Sequence, residues 1–559
     1  MKKSNIVAVL AAPALFFGVS GVSQAKDPPL ITQPKSIPDA VGVSKTQLDI
    51  EPVESPVATE QAQVIRSIHF AGGTVIGLDE LSQQVSPLIN QAYSVELVTT
   101  TVQAITQLFQ DKGYPLSFAT VTKKGFSADG QLTITLIEGH IAREEVQIEQ
   151  DSIRQRVNAI LAPLKNEKPL TRDTLERAVL LLGQIPGYTF NIGLPRPKTL
   201  SGATSIRVEV KEREWVEPGV SFSKQEHDDD NLYVSLKLKS LNGFFEQFSV
   251  SGLVPLDGDD ERYYAVGMDN NWLDSGLVGR FQWSRYEDTS DSRLPVGNLY
   301  VDVDQDKTRD RYQYTLEYPI WLTVNQRWKV GGGIYHTDEK NDYELSYLNT
   351  MLGKTRQHTR YSSLALNTNY YRKWQSLSLF GDVRVKQGVD LGGRRNDISD
   401  SNGTRQLSQD MDFTIFEASL ASSYQILQDL SAIVKANGVY TDDELVSSER
   451  VTYGGQFYGR GYPEGQAEGD KGYGAELKLL YNYGLNRYFI KPYVVVDTAH
   501  TEFNTLPLEH DLSSYALGVE LGRGSDFNIA LEYAVPFGDD NINTGEKSDV
   551  YNVRFSWKL

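Results

Sequence analysis

The chain is 559 residues long, has a formal net charge of −18 and contains no cysteine. With no local basic patch to offset it, that charge speaks against a nucleic-acid partner, and a chain without thiols forms neither disulfides nor zinc-thiolate sites. The 30 tyrosines, 46 glycines and 7 tryptophans, at a mean hydropathy of −0.38, suit sheets with a polar face, polar loops and aromatic girdles.

Residues 1–25 open with Lys2 and Lys3, run through an apolar stretch from Ile6 to Val19 and close on Ser23-Gln24-Ala25, the layout of a secretory signal peptide. No later stretch approaches the roughly 18 to 20 apolar residues that a spanning helix needs. Residues 26–64 hold six prolines and few apolar clusters, which predicts a linker unable to fold alone. Asp39 to Ile50 within it is free of proline and has room for a short helix.

From Ile65 short strands alternate with helical periods. Ile65 to Phe70 reads as a strand, and Val98, Val102, Ile105 and Phe109 fall at helical spacing before the stop at Gly113-Tyr114-Pro115. Strands at Ser117–Lys123 and Gln131–Glu138 complete the order strand, helix, helix, strand, strand. The same order recurs with a strand at Val146 and Ile148 and a helix over Ile153–Leu161. A second helix carries Leu175, Val179 and Leu182, and strands follow at Tyr188–Ile192 and Ser205–Lys211. The Gly-Tyr stops at 113–114 and 187–188 lie 74 residues apart, so residues 65–139 and 140–214 are predicted to be tandem copies of one small α/β unit.

After Trp215 the helical period disappears. Leu232, Val234, Leu236 and Leu238 alternate with Tyr233, Ser235, Lys237 and Lys239, and Phe527, Ile529, Leu531 and Tyr533 alternate with Asn528, Ala530 and Glu532. The final segment sets Tyr551, Val553, Phe555, Trp557 and Leu559 against Asn552, Arg554, Ser556 and Lys558. About sixteen such segments fill residues 215–559, at the roughly 9 to 11 residues of a tilted membrane strand. Eleven precede Val451 and five follow Asp470. Short joins such as Asn242-Gly243 alternate with long polar ones at Asp338–Gln357 and Asp390–Gln409. The fold class expected is therefore α+β domains followed by an all-β, 16-stranded antiparallel transmembrane barrel.

No catalytic, metal or cofactor site is expected. The chain lacks a Gly-x-Ser-x-Gly elbow, and its seven histidines are scattered without metal-ligand spacing. His500 lies near Asp497, but an offset of three residues puts the two on opposite strand faces.

The string Gly454-Gly455-Gln456-Phe457-Tyr458-Gly459-Arg460-Gly461-Tyr462-Pro463-Glu464-Gly465 falls between the eleventh and twelfth strands. It resembles the Arg-Gly-Tyr/Phe signature of the BamA/TpsB superfamily of outer-membrane barrels, whose long sixth loop folds into the barrel. Glu468-Gly469-Asp470-Lys471-Gly472 and Glu476-Leu477 resemble the loop exit and next strand of the two-partner secretion branch, the ShlB/FhaC/HecB transporters. The tandem units resemble that branch's pair of POTRA domains, where BamA-type insertases carry more.

The resemblance implies an outer-membrane location in a Gram-negative bacterium, with the POTRA domains in the periplasm and an inward loop over 451–471. Gly459, Arg460, Gly461 and Tyr462 would form the gating signature. Pro492-Tyr493-Val494-Val495-Val496-Asp497 resembles the family strand whose aspartate receives the arginine, which implies the pair Arg460 and Asp497. A buried guanidinium does need such an acidic partner. A helix within residues 39–50 would help the loop block the pore.

The implied cargo is one large unfolded exoprotein, a haemolysin, adhesin or contact-dependent toxin, moved without nucleotide hydrolysis. Barrel-assembly machinery would be a partner during biogenesis, with Leu559 standing where many such barrels end in Phe. The alternative from the same superfamily is an insertase for other outer-membrane proteins.

Overall fold

The computed structural model describes residues 47–50 and 63–558, except 123, 226–230, 242–245, 256–260, 272–273, 297–298, 349, 410, 524–526 and 542–544. Residues 1–25, expected to be a signal peptide, residues 26–46 and 51–62 of the expected linker, the Asn242-Gly243 join and Leu559 lie outside the described residues.

The first α/β unit carries a strand at Ser67–Ala71, helices at Leu78–Val85 and Val95–Asp111, and strands at Phe118–Thr120 and Gln131–Ile137. Ser94 caps the longer helix by accepting from the Leu97 N–H. Its stripe of Val98, Val102, Ile105 and Phe109 is completely buried against the sheet, in which Gln131–Ile137 is central.

The second unit repeats the plan with a strand at His140–Gln147, helices at Asp151–Leu161 and Arg172–Gly183, and strands at Tyr188–Leu194 and Ala203–Arg213. Its sheet gains a fourth strand from the linker. Gln47–Ile50 runs parallel to Tyr188–Leu194, with Gln47 opposite Asn191 and Ile50 opposite Leu194. The helix allowed over 39–50 is thus replaced at its last four residues by a strand. An isolated helix of that length is marginal in water, whereas an open sheet edge supplies backbone partners directly.

The two units are joined tightly. Leu116 of the first packs into the core of the second, and the Arg172 N–H donates to the Gly113 carbonyl at 2.7 Å. The second unit in turn sits on the barrel turns. Leu322 belongs to its core, Arg156 pairs with Asp274 at 2.6 Å, and Arg177 donates to the carbonyls of Ser275 and Pro319 at 2.9 and 3.2 Å.

Sixteen antiparallel strands form the closed barrel. The first eight are β1 (Val216–Gln225), β2 (Asn231–Lys239), β3 (Glu246–Pro255), β4 (Arg262–Asn271), β5 (Val278–Val296), β6 (Leu299–Leu322), β7 (Gln326–Tyr347) and β8 (Thr350–Lys373). The others are β9 (Leu377–Val389), β10 (Thr414–Gln425), β11 (Leu430–Tyr440), β12 (Lys471–Tyr481), β13 (Tyr488–Glu502), β14 (Glu509–Arg523), β15 (Phe527–Pro536) and β16 (Val550–Lys558). Closure comes from β16 on β1, with Asn552 opposite Gln225 and Lys558 opposite Gly219. A closed ladder leaves no edge unpaired, the condition for crossing lipid.

Alternation sorts the two faces as the sequence pattern requires. On β13, Tyr493, Val495, Asp497 and Ala499 are buried inside while Val494 and Val496 are exposed outside. Exposed Trp321, Trp328, Trp374 and Tyr488 mark the strand ends nearest the α/β units, and Phe416, Tyr440, Tyr473 and Tyr551 mark the far ends. Two aromatic girdles around an apolar band are the surface of a lipid-embedded barrel.

The long joins differ from expectation. Residues 338–357 are mostly strand, because β7 and β8 continue as a paired ribbon to Tyr347 and Thr350. Within 390–409, Arg395–Asp400 and Gly403–Gln406 form a hairpin that pairs with residues 356–360 of β8. A ribbon beyond the bilayer needs no apolar face, so dyad hydropathy does not reveal it.

Candidate functional site in the barrel lumen

Between β11 and β12, residues 441–470 fold back into the barrel, beginning ten residues before the segment expected from the motif. Asp470 holds the loop's root. Wholly buried, it accepts from the Leu445 N–H and the Asn504 N–H, each at 2.9 Å. Val451–Tyr453 then pairs with Ala467–Gly469 as a small ribbon.

The tip is a compact knot of its own hydrogen bonds, from the Gly454 N–H to the Tyr458 carbonyl at 3.1 Å and from the Gly455 N–H to the Tyr462 carbonyl at 2.9 Å. Gly454 has φ +117°, and a Cβ there would lie 2.2 Å from the Pro463 carbonyl oxygen, so no other residue fits. Gly461 sits against the wall, where a Cβ would approach the Pro536 nitrogen to 2.7 Å. Tyr458 and Tyr462 are each 1 % exposed and pack with Val451, Tyr453, Ala499 and Leu512.

This knot delivers Arg460, 3 % exposed, to three wall carboxylates. Its Nη2 donates to Glu476 of β12 at 2.5 Å and its Nη1 to Glu532 of β15 at 2.8 Å. Asp497 of β13 is also present, with Oδ2 3.7 Å from Nε. The expected partner is therefore in place but is not the closest one. Asp497 instead fixes the loop backbone, since its Oδ1 accepts from the Gly459 N–H at 2.6 Å and from the Ser514 hydroxyl at 2.8 Å.

Further groups complete the pocket. The Tyr493 hydroxyl and the Asn552 amide donate to Glu532 at 2.7 and 3.1 Å. Lys435 lies 3.7 Å from Glu476, and Arg554 lies 3.5 Å from Glu532. Three carboxylates thus face three cations, which limits the cost of burying so much charge. The Phe457 ring stands 5.9 Å from the guanidinium carbon. A guanidinium stays charged at any working pH, so the loop always presents a cation to these carboxylates.

The resemblance placed Glu476 only in the next strand and did not touch Glu532, so neither was expected as a partner of Arg460. The signal for them was strand parity: Glu476 is an inward acid beside outward Leu477, and Glu532 an inward acid beside outward Leu531. His500 is separate from this site, paired outside with Asp511 at 2.8 Å. Among the described residues no cluster of His, Asp and Glu could hold a metal ion, and no helix is long and apolar enough to cross a membrane.

Comparison with known proteins agrees with this architecture. Residues 64–139 match the model of the ShlB-type POTRA domain, and residues 202–521 match that of the haemolysin secretion/activation proteins ShlB/FhaC/HecB. The outer membrane transporter CdiB of Dickeya dadantii is 21% identical over 433 residues, covering 75% of this chain and 73% of the relative. The heme/hemopexin transporter protein HuxB of Haemophilus influenzae is 20% identical over 512 residues, covering 84% and 82%. The solved structure of CdiB from Escherichia coli superposes with a TM-score of 0.62 at 17% identity, covering 96% of this chain and 94% of that one. With the family match spanning more than half of its length, the chain belongs to the ShlB/FhaC/HecB family of two-partner secretion transporters, an outer-membrane barrel with its POTRA domains in the periplasm.

Proposed function

We propose that this transporter binds one large unfolded exoprotein through its POTRA domains and passes it through the barrel to the cell surface without nucleotide hydrolysis. The carrying observation is the lumenal loop, whose buried arginine engages carboxylates on β12, β13 and β15. A loop fixed in this way fills the lumen by specific contacts that can be exchanged for solvent, so it acts as a gate. Gly459, Arg460, Gly461 and Tyr462 form the gating tip, and Asp497, Glu476 and Glu532 form its receiver.

An extended cargo gains sequence-independent backbone bonds by adding a strand to a sheet edge. In the second POTRA domain the edge at Tyr188–Leu194 is already paired with Gln47–Ile50. Cargo arriving there competes with the linker, and release of the linker strand is the first step of recognition. Folding of the cargo outside supplies the drive.

The test is reconstitution of the full chain in liposomes with an unfolded amino-terminal fragment of the exoprotein and no nucleotide. Protease protection of the fragment on the far side supports the proposal, and a requirement for added nucleotide overturns it. A variant lacking residues 47–50 is expected to bind the fragment more tightly. Equal or weaker binding removes the competition step.

A further inference from the structure

The loop is held at a second place, before its tip, by a charge of opposite sign. Ser447–Glu449 forms a short 3-10 turn against β7, β8 and β9. The Glu449 Oε1 accepts from Lys386 of β9 and from the Tyr361 hydroxyl of β8, both at 2.6 Å. The Ser448 hydroxyl lies 2.9 Å from the same Tyr361 oxygen. Ser447 donates to Glu339 of β7 at 3.3 Å, and Glu339 is itself fixed by Arg309 at 2.5 Å. Leu445 and Val446 pack beside the turn on Phe413, Ile415 and Tyr361.

A carboxylate on a loop inside a polar lumen has cheap access to water, so burying it demands paired donors. Here the side chain of Glu449 is only 6% exposed and that of Lys386 13%. The tip uses a cation against an anionic wall at β12 to β15, and the descending limb uses an anion against a cation at β9. Any slip that brought Arg460 toward Lys386, or Glu449 toward Glu476, would set like charges together. The two contacts therefore fix the loop's register as well as its attachment.

We infer that Glu449, with Lys386 and Tyr361, is a second latch of the loop, a positioning group that must be released along with Arg460 before the pore opens fully. The inference rests on the gating reading of the loop. Releasing Arg460 alone frees the tip but leaves the limb strapped across β8 and β9.

The experiment is single-channel recording of the full chain in planar bilayers, with heat-modifiable gel mobility to confirm a folded barrel. Glu449→Gln and Lys386→Met should each raise the open fraction about ten-fold or more, as expected for one side of a buried pair. Tyr361→Phe, which keeps the ring and deletes one donor, should give a smaller rise of the same sign. Glu449→Gln combined with Arg460→Ala should open the pore further than either alone. Glu449→Gln combined with Lys386→Met should open the pore little further than either alone, because both remove the same pair, whereas two independent packing contacts would add. Parent-like recordings from Glu449→Gln and Lys386→Met, while Arg460→Ala opens the pore, would overturn the latch and spare the gate. Silence from all three would overturn both.

Discussion

Arg460→Ala takes one guanidinium out of a pocket where its side chain is 4% exposed and three carboxylates converge on it. Removing one side of a buried pair costs roughly 3 to 5 kcal/mol. Lys435 and Arg554 remain 3.7 and 3.5 Å from Glu476 and Glu532 and carry part of the stranded charge, which places this case at the lower end. About 3 kcal/mol is a roughly hundred-fold shift in the ratio of docked to undocked tip. The ladder that closes the barrel is untouched, because β16 and β1 pair through their backbones. The variant should therefore reach the outer membrane folded, show more frequent channel openings and lose most of its export. Arg460→Lys should fall between, since an ammonium keeps the charge but lacks the planar fork that reaches two carboxylates. Parent-like openings and parent-like export from Arg460→Ala, at equal amounts of folded barrel, would refute the reasoning.

The receiver should rank by hydrogen bond. Glu532→Gln is expected to disturb gating more than Asp497→Asn, because an asparagine oxygen can still accept from Gly459 and Ser514; bilayer recordings of the two side by side decide this. Gly461→Val should reproduce the undocked phenotype with Arg460 intact, since a Cβ meets the Pro536 nitrogen at 2.7 Å, and protease nicking near residue 460 in folded barrels reports it. Leu322→Ala should loosen the second α/β unit from the barrel by roughly 2 to 5 kcal/mol, read as faster hydrogen exchange in Arg172–Gly183 with the barrel strands unchanged.

Much of this architecture was legible because burial imposes a period. The stripe Val98, Val102, Ile105 and Phe109 and the alternation through Tyr551, Val553, Phe555 and Trp557 are each forced by one apolar face, and the structure uses them as read. Eleven barrel strands before the loop and five after it also agree with the segment count. The ribbon at 338–357 was illegible for the converse reason, since its covered face is largely polar, with Thr337, Glu339 and Asn341 buried there, and so shows no apolar alternation. Gln47–Ile50 was missed because its strand state depends on a partner about 140 residues away, which local composition cannot report. At the site, the motif led to Arg460 and to Asp497, and the structure brings them within 3.7 Å. The sequence placed Glu476 only in the next strand and Glu532 only as a polar position in an alternating segment, and marked neither as a partner of Arg460, because which inward acid meets the arginine depends on the three-dimensional course of the loop. Glu449 lies before the glycine-rich string and looks like an ordinary surface acid.

The most direct test of the whole account is to delete the gene and compare both the secreted proteins and the outer-membrane proteins with those of the parent strain. Export by a dedicated pore predicts that one large exoprotein disappears from the surface and medium while the outer-membrane profile stays the same. A broad loss of outer-membrane proteins, with secretion of large exoproteins unchanged, would contradict it and identify an insertase instead.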